Sequence, residues 1–289
     1  MSFKKFHQQF THFDIQETIE FYSIFSGHPF LKFLKLNNDL STCIQADIID
    51  KIDELKPYFI YDKDIDFQKD LESILIQLAI GDRKSYTIYK KTNISQVRGR
   101  ALYRSLFEKN IIKKERSREK PIRKFKGELI KKSLRKYKIQ DKIHFCDNFT
   151  RFWFTFIAPY FYKPLDINKI MQNIEQYISL SFEELSNELI IHRYKKENII
   201  NYGSYWDKDI EIDLLIETKN GTMIAGESKW KNHKICKNIL KTLEKKCIKA
   251  ELGASKFVLC SKSGFSKELK TKRSSEIVLI ELKDFEELF

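Results

Sequence analysis

The sequence predicts an α+β chain, with a helical N-terminal part followed by a C-terminal α/β domain on a mixed central sheet. Three observations predict it. Apolar residues recur at helical spacing through Ile15–Leu34, Leu40–Leu55 and Leu71–Ile80. Four strand-like runs (DIEIDLLIE, TMIAGESKW, KFVLC, EIVLIEL) gather beyond residue 208. A Lys-rich helical stretch separates the first pair of runs from the second, which requires both antiparallel and crossover connections. With 42% hydrophobic residues, 9 Gly and 5 Pro in 289, the chain is neither collagen-like nor disordered throughout.

In chain order, Ile15–Leu34 is helical and broken near Gly27 and Pro29. Leu40–Leu55 reads as an amphipathic helix, followed by an acidic, aromatic connection through Asp66. Leu71–Ile80 is a buried helix with Gly81 as its C-cap. Tyr86–Lys91 precedes a break at Thr92–Asn93 and a basic helix from Ser95 to Lys109. A short strand starts at Asn110–Ile112, and Glu115–Lys126 is a charged excursion. Ile143–Tyr162 (IHFCDNFTRFWFTFIAPYFY) carries aromatics at helical spacing, which reads as core, with base stacking as the minor alternative. Ser181 opens a helix with Glu184 as its capping-box partner. Lys219-Asn220-Gly221 is a tight turn between two strands. The helix Lys234–Ala250 and strands Lys256–Cys260 and Glu276–Leu282 complete the domain. These breaks divide the chain into 1–66, 67–142, 143–180 and 181–289.

The formal charge is +13, and residues 81–142 hold 22 Lys and Arg against 6 Asp and Glu, a net of +16. Such a field attracts polyanions, nucleic acid above all. A Lys-rich codon bias gives an alternative reading, but it does not account for the clustered Arg98, Arg100, Arg104, Arg116, Arg118, Arg123 and Arg135. Three short helices followed by a basic strand and turn is the order of a winged helix. Gln96, Arg98, Arg100 and Arg104 would then lie on its recognition helix near DNA, with Arg116 and Arg118 beyond it. The same residues would otherwise solvate a helical bundle or meet a partner protein. No run approaches the ~20 apolar residues of a membrane span. The N-terminus has no signal-peptide core, and the five Cys form no CxxC pair, so the expectation is a cytoplasmic protein with reduced thiols.

Chemistry concentrates at the hairpin. Alternate strand residues share a face, so Asp213 pairs with Glu211 on one strand and Glu227 with Lys229 on the next. Asp213, Glu227 and Lys229 would converge if the strands pair across the turn, with Ile212, Leu214, Ile224 and Ser228 pointing the other way. Two carboxylates with the Ser228 carbonyl suit Mg²⁺ or Mn²⁺, and Lys229 could orient or help deprotonate a water or stabilise phosphate charge. A surface ion pair across a hairpin is the alternative.

Asp213…Glu227-Ser228-Lys229 resembles the D…(D/E)xK signature of the PD-(D/E)XK nuclease superfamily. The wider segments YGSYWDKDIEIDLLIE…MIAGESKWK and IHFCDNFTRFWFTFIAP are similar to the nuclease-like domain at the C-terminus of archaeal-type ATPases. Residues 13–34 and 71–116 resemble the lid helices and winged helix of the same proteins. The resemblance implies a restriction-endonuclease-like fold for 181–289. It implies Asp213 and Glu227 as metal ligands, Lys229 as the catalytic lysine, and Glu183 as a helix-borne ligand, with Glu184 and Glu188 as substitutes. No GxxxxGK[ST] stretch occurs, so ATP binding is not expected. The function implied is a metal-dependent DNA endonuclease, with DNA as partner and a homodimer compatible with it. The alternatives are a non-catalytic DNA-binding regulator and a DNA-binding subunit of a separate ATPase.

Overall fold

The computed structural model describes residues 1–121, 125, 127–130, 132, 135, 137–161 and 164–289, the Tyr86 side chain excepted. Part of the charged excursion, residues 122–124 and 126 with Arg123 among them, lies outside the described residues. Among the described residues no helix is long and apolar enough to cross a membrane. The chain divides into two compact units. The first comprises residues 1–115, 142–182 and 285–289, and the second 116–141 and 183–284.

The first unit begins with α1 (Phe3–Gln9) and α2 (Ile15–Phe25). A capping box between Asp14 and Glu17 starts α2 by satisfying orphan amides at both positions. The expected Leu40–Leu55 helix is interrupted: α3 (Leu40–Ile44) runs into a π-turn at Gln45–Ile49 before α4 (Ile52–Leu55). Next, α5 (Ile65–Ile80) starts earlier than expected because the Asp64 carboxylate accepts from Phe67 N, drawing the acidic connection into the first turn. Gly81 ends it with an extended backbone, φ −103°, rather than a left-handed cap. Helices α6 (Ser85–Thr92) and α7 (Gln96–Glu108) follow, separated by left-handed Asn93. They approach so closely that a Cβ on Gly99 of α7 would collide with the Tyr89 ring.

Strand β1 (Ile112–Glu115) pairs antiparallel with β2 (Lys142–Phe145), from Ile112 opposite Phe145 to Glu115 opposite Lys142. The returning strand lies where the sequence suggested the start of an aromatic helix, so the boundary expected at 142 falls inside a strand pair. The aromatic block then forms α8 (Asn148–Phe152) and a π-turn at Trp153–Ile157. Phe149, Phe152, Trp153 and Phe154 are fully buried, Trp153 stacking on Phe59 at 4.2 Å. They are core, and this is why 143–180 belongs to the same unit as the preceding helices. Two polar members of the block have structural roles. Asp147 caps α8 through Thr150 N, while Arg151 lies 3.9 Å over the Tyr177 ring and donates to Tyr177 O and Ser181 Oγ.

Ser181 therefore does not open a helix. It lies within α9 (Ile167–Tyr194), a continuous 28-residue helix, and the expected capping box with Glu184 does not form a helix start. The hydroxyl is engaged by Arg151 instead. The division between units falls after Phe182, inside this helix.

The second unit is built on a five-stranded sheet in the order β3-β4-β5-β6-β7: β3 (Ile199–Trp206), β4 (Glu211–Thr218), β5 (Met223–Lys229), β6 (Lys256–Ser261) and β7 (Ile277–Glu281). The first three strands are antiparallel and the last two run parallel to β5. β3 was not expected: IINYGSYW lacks alternation and carries Gly203, as an edge strand with its first half exposed can tolerate. Its edge is met by described residues that precede β2: Arg118 N donates to Ser204 O, and Gln140 O accepts from Trp206 Nε1. Helix α10 (Lys237–Lys249) packs on β4, β5 and β6, burying Leu240, Leu243 and Cys247 against Leu215, Ala225 and Leu259. The part of α9 beyond Phe182 lies on the opposite face, where Ile190 would be 3.4 Å from a Cβ on Gly226. A short helix, α11 (Lys267–Lys270), follows β6.

Candidate functional site

The β4–β5 hairpin turns at residues 219–222. Gly221 alone takes a positive φ, +82°, while Asn220 holds the turn by accepting from Thr222 N through its side chain. That turn sets the register, with Leu214 opposite Gly226 and Glu217 opposite Met223. β5 is the middle strand, so Glu227 and Lys229 sit at the centre of the sheet.

On its other side β4 carries a bulge. Gly203 of β3 opposes Leu215, but Tyr205 opposes Ile212, so three steps on β4 match two on β3. The extra residue falls at Asp213–Leu214. It breaks the expected alternation, for Ile212 joins Leu215 and Ala225 in the cluster under α10 instead of sharing a face with Leu214. The paired register of β4 and β5 ends at Leu214–Gly226, and Asp213 Oδ2 accepts from Ser228 N at 2.8 Å in place of a backbone carbonyl. Asn187 of α9 donates to the Asp213 carbonyl at 3.1 Å. The bulge and this hydrogen bond together fix where the carboxylate stands.

Glu227 is 7% exposed, and both of its oxygens are engaged. Lys229 Nζ donates to Oε1 at 2.6 Å and Lys246 Nζ, from α10, to Oε2 at 2.9 Å. Burial and the neighbouring Glu227 carboxylate push Asp213 up to about 6, against the opposing pull of Lys229, the Ser228 amide and Lys246. Burial acts to lower Lys229. The Glu227 and Asp213 carboxylates, the hydrogen bond to Glu227 and the charge of Glu183 outweigh it and hold the ammonium above its ordinary range. Glu183 on α9 thus contributes to the field at the site. Among the described residues, no three His, Cys, Asp or Glu side chains form a cluster able to hold a metal ion. The acids nearest one another at the hairpin's open end are Asp213 and Glu227.

A raised Asp213 gives a pH prediction with a defined sign. Its contribution to stability is present below the ordinary carboxylate value near 4 and is lost as pH rises through about 6. Asp213→Asn removes the ionisable group while keeping an acceptor for Ser228 N. In EDTA it should melt a few degrees above the wild type at pH 8, corresponding to about 1–2 kcal/mol for a half-buried carboxylate, and equal to it at pH 4. A melting difference that does not change with pH would contradict this assignment.

The residues expected at a DNA interface are placed differently from one another. Gln96, Arg100 and Arg104 are exposed on α7. Arg98, though exposed, is tied to α5 by a 2.8 Å ion pair with Asp70 and lies 5.1 Å over the Phe67 ring. In the second unit Arg116 is exposed. Arg118 is half-buried and paired with Glu217 at 3.5 Å, so its guanidinium is committed to the sheet edge. Lys246 and Asn187 were not identified from sequence. Lys246 is one of many lysines in its helix, and nothing in its spacing separates it from them.

An uncharacterized protein of Methanocaldococcus jannaschii, MJECL04, is 24% identical over 93% of this chain, and the chain spans about three-fifths (60%) of that relative's length. No solved structure matches the chain. Residues 153–241, which include Glu183, Asp213, Glu227, Lys229 and the hairpin that joins them, match the family model DUF234, described as archaeal and bacterial proteins of unknown function.

Proposed function

We propose that the second unit is a metal-dependent DNA endonuclease of the PD-(D/E)XK kind, on a restriction-endonuclease-like sheet. The observation that carries this reading is the convergence of Asp213, Glu227 and Lys229, from two adjacent strands, at the point where their pairing ends. The donors fit Mg²⁺ or Mn²⁺: two neighbouring carboxylates, one of them raised by burial and by the other's charge, and the Ser228 carbonyl between the functional side chains. When bound, such an ion acidifies water and neutralises phosphate charge. Asn187 and the Ser228 amide orient Asp213. Lys229 remains charged, so its part is to orient water and stabilise charge on the phosphate rather than to accept a proton. Glu183 adds negative charge from the helix side but, among the described residues, does not complete a three-acid cluster with Asp213 and Glu227, so its part in this reading is electrostatic.

DNA would be gripped by α7 and the basic segment around it, with α5, α6, α7 and the β1–β2 pair acting as a winged helix. Binding should weaken with salt, each phosphate contact contributing about −0.9 to the slope of log K against log salt. Removing the charges of exposed Arg100 and Arg104 should reduce that slope by nearly two, while Arg118→Gln should change it little. Equal effects from all three would place the interface elsewhere. The test of function is incubation with plasmid and branched DNA in Mg²⁺, Mn²⁺ or EDTA. Cleavage in EDTA, or none in either metal, counts against the nuclease. A second reading, a DNA-binding regulator that retains the fold without activity, draws on the two lysines that occupy both oxygens of Glu227.

A further inference from the structure

Glu227 is the most enclosed acid of the site, and it has two cationic partners of different origin. Lys229 lies two residues along the same strand and is fixed to it. Lys246 reaches Glu227 from α10, 19 residues on, with its side chain 26% exposed and four carbons long. An ion shared by Asp213 and Glu227 must take an oxygen of Glu227. The two lysines are equally exposed, but Lys229 also feels the Asp213 and Glu183 charges and has a part in the proposed chemistry, which leaves Oε2, held by Lys246, as the oxygen to be exchanged. We propose that Lys246 is a positioning residue that stands in for the divalent cation. In the ion-free site it neutralises Glu227 and keeps the two carboxylates together, and it is displaced when an ion takes Oε2.

This inference rests on the metal-site reading above and adds to it a competitor built into the fold. The physical consequence is a weakened affinity for free cations. An entering divalent ion must break a 2.9 Å charge-assisted hydrogen bond and overcome the repulsion of a nearby ammonium. Removing that ammonium should therefore tighten ion binding, whereas removal of a merely structural contact would loosen the site and weaken it.

The test is calorimetric titration of the full chain with Mn²⁺ in the absence of DNA, comparing wild type, Lys246→Met, Lys246→Arg and Asp213→Ala, each with its melting temperature. Lys246→Met should bind Mn²⁺ roughly 10-fold tighter than the wild type, and Lys246→Arg, which keeps the charge, should stay close to the wild type. Asp213→Ala should lose the binding. Where Asp213→Ala abolishes binding but Lys246→Met binds no tighter, the inference about Lys246 falls and the metal site stands. Binding that is indifferent to Asp213→Ala, or absent from both wild type and Lys246→Met, removes the metal site and this inference with it. Asp213-dependent binding detectable only in Lys246→Met supports it.

Discussion

Asp213→Ala should lower metal-dependent DNA cleavage by roughly three orders of magnitude, the scale set by the several kcal/mol of transition-state stabilisation that a bound ion supplies. The carboxylate removed stands where the β4–β5 pairing ends, close enough to Glu227 to feel its charge, and Glu227 is already held by two lysines. Asp213→Ala relieves a carboxylate whose ionised form is disfavoured by burial and by Glu227, but it also takes away the acceptor of the Ser228 N–H. These contributions are of similar size and opposite sign, so Asp213→Asn, which keeps an acceptor, is the control for folding. Single-turnover cleavage with saturating Mg²⁺, alongside a melting curve, separates lost chemistry from lost folding. A variant that melts normally and cuts DNA as fast as wild type would leave the hairpin as a charged structural element only.

Trp153→Ala should cost about 4 kcal/mol and lower the melting temperature of the first unit by roughly 10 °C. The indole is fully buried, stacked on Phe59 with 12° between ring planes and flanked by Phe149 and Phe161. Its truncation leaves a cavity walled by rings that cannot collapse into it. Trp153→Phe should cost far less, because Trp153 Nε1 has no hydrogen-bond partner among the described residues and the smaller ring forfeits only area. Thermal denaturation of both variants followed by circular dichroism checks this. If the phenylalanine variant melted as low as the alanine one, a polar role for the indole N–H would be indicated. If neither shifted, the aromatic block would not be the core of that unit.

Much of the second unit was legible from pattern. Apolar runs place β4, β5, β6 and β7, and a Lys-rich amphipathic stretch places α10, because strands buried in a sheet and a helix packed on it leave strong period-two or helical signals. The neighbouring placement of Glu227 and Lys229 was legible for the same reason: ExK on a strand sets two side chains on one face by geometry alone. β3 was not legible, because an edge strand with Asn and Gly in it is held by its neighbour and by the residues that meet its edge rather than by its own hydrophobicity. Nor was the length of α9. Ser181 has the chemistry of a helix cap, and only the buried Arg151 that claims its hydroxyl decides that the helix continues through it.

The sequence by itself determined the α+β class, the basic concentration in residues 81–142 and the identity of the acids and the lysine at the hairpin. These follow from composition and from local periodicity, which act over a few residues. Only the tertiary structure decided that a bulge in β4 re-aims Asp213, that Arg98 and Arg118 are already paired, and that Lys246 holds the second oxygen of Glu227. Each of these depends on a contact between residues distant in sequence, such as the 19 positions from Glu227 to Lys246 or the 99 from Arg118 to Glu217. A lysine among lysines carries no local mark of the carboxylate it will meet. The meeting is fixed by how α10 packs across the sheet, which is a property of the assembled core.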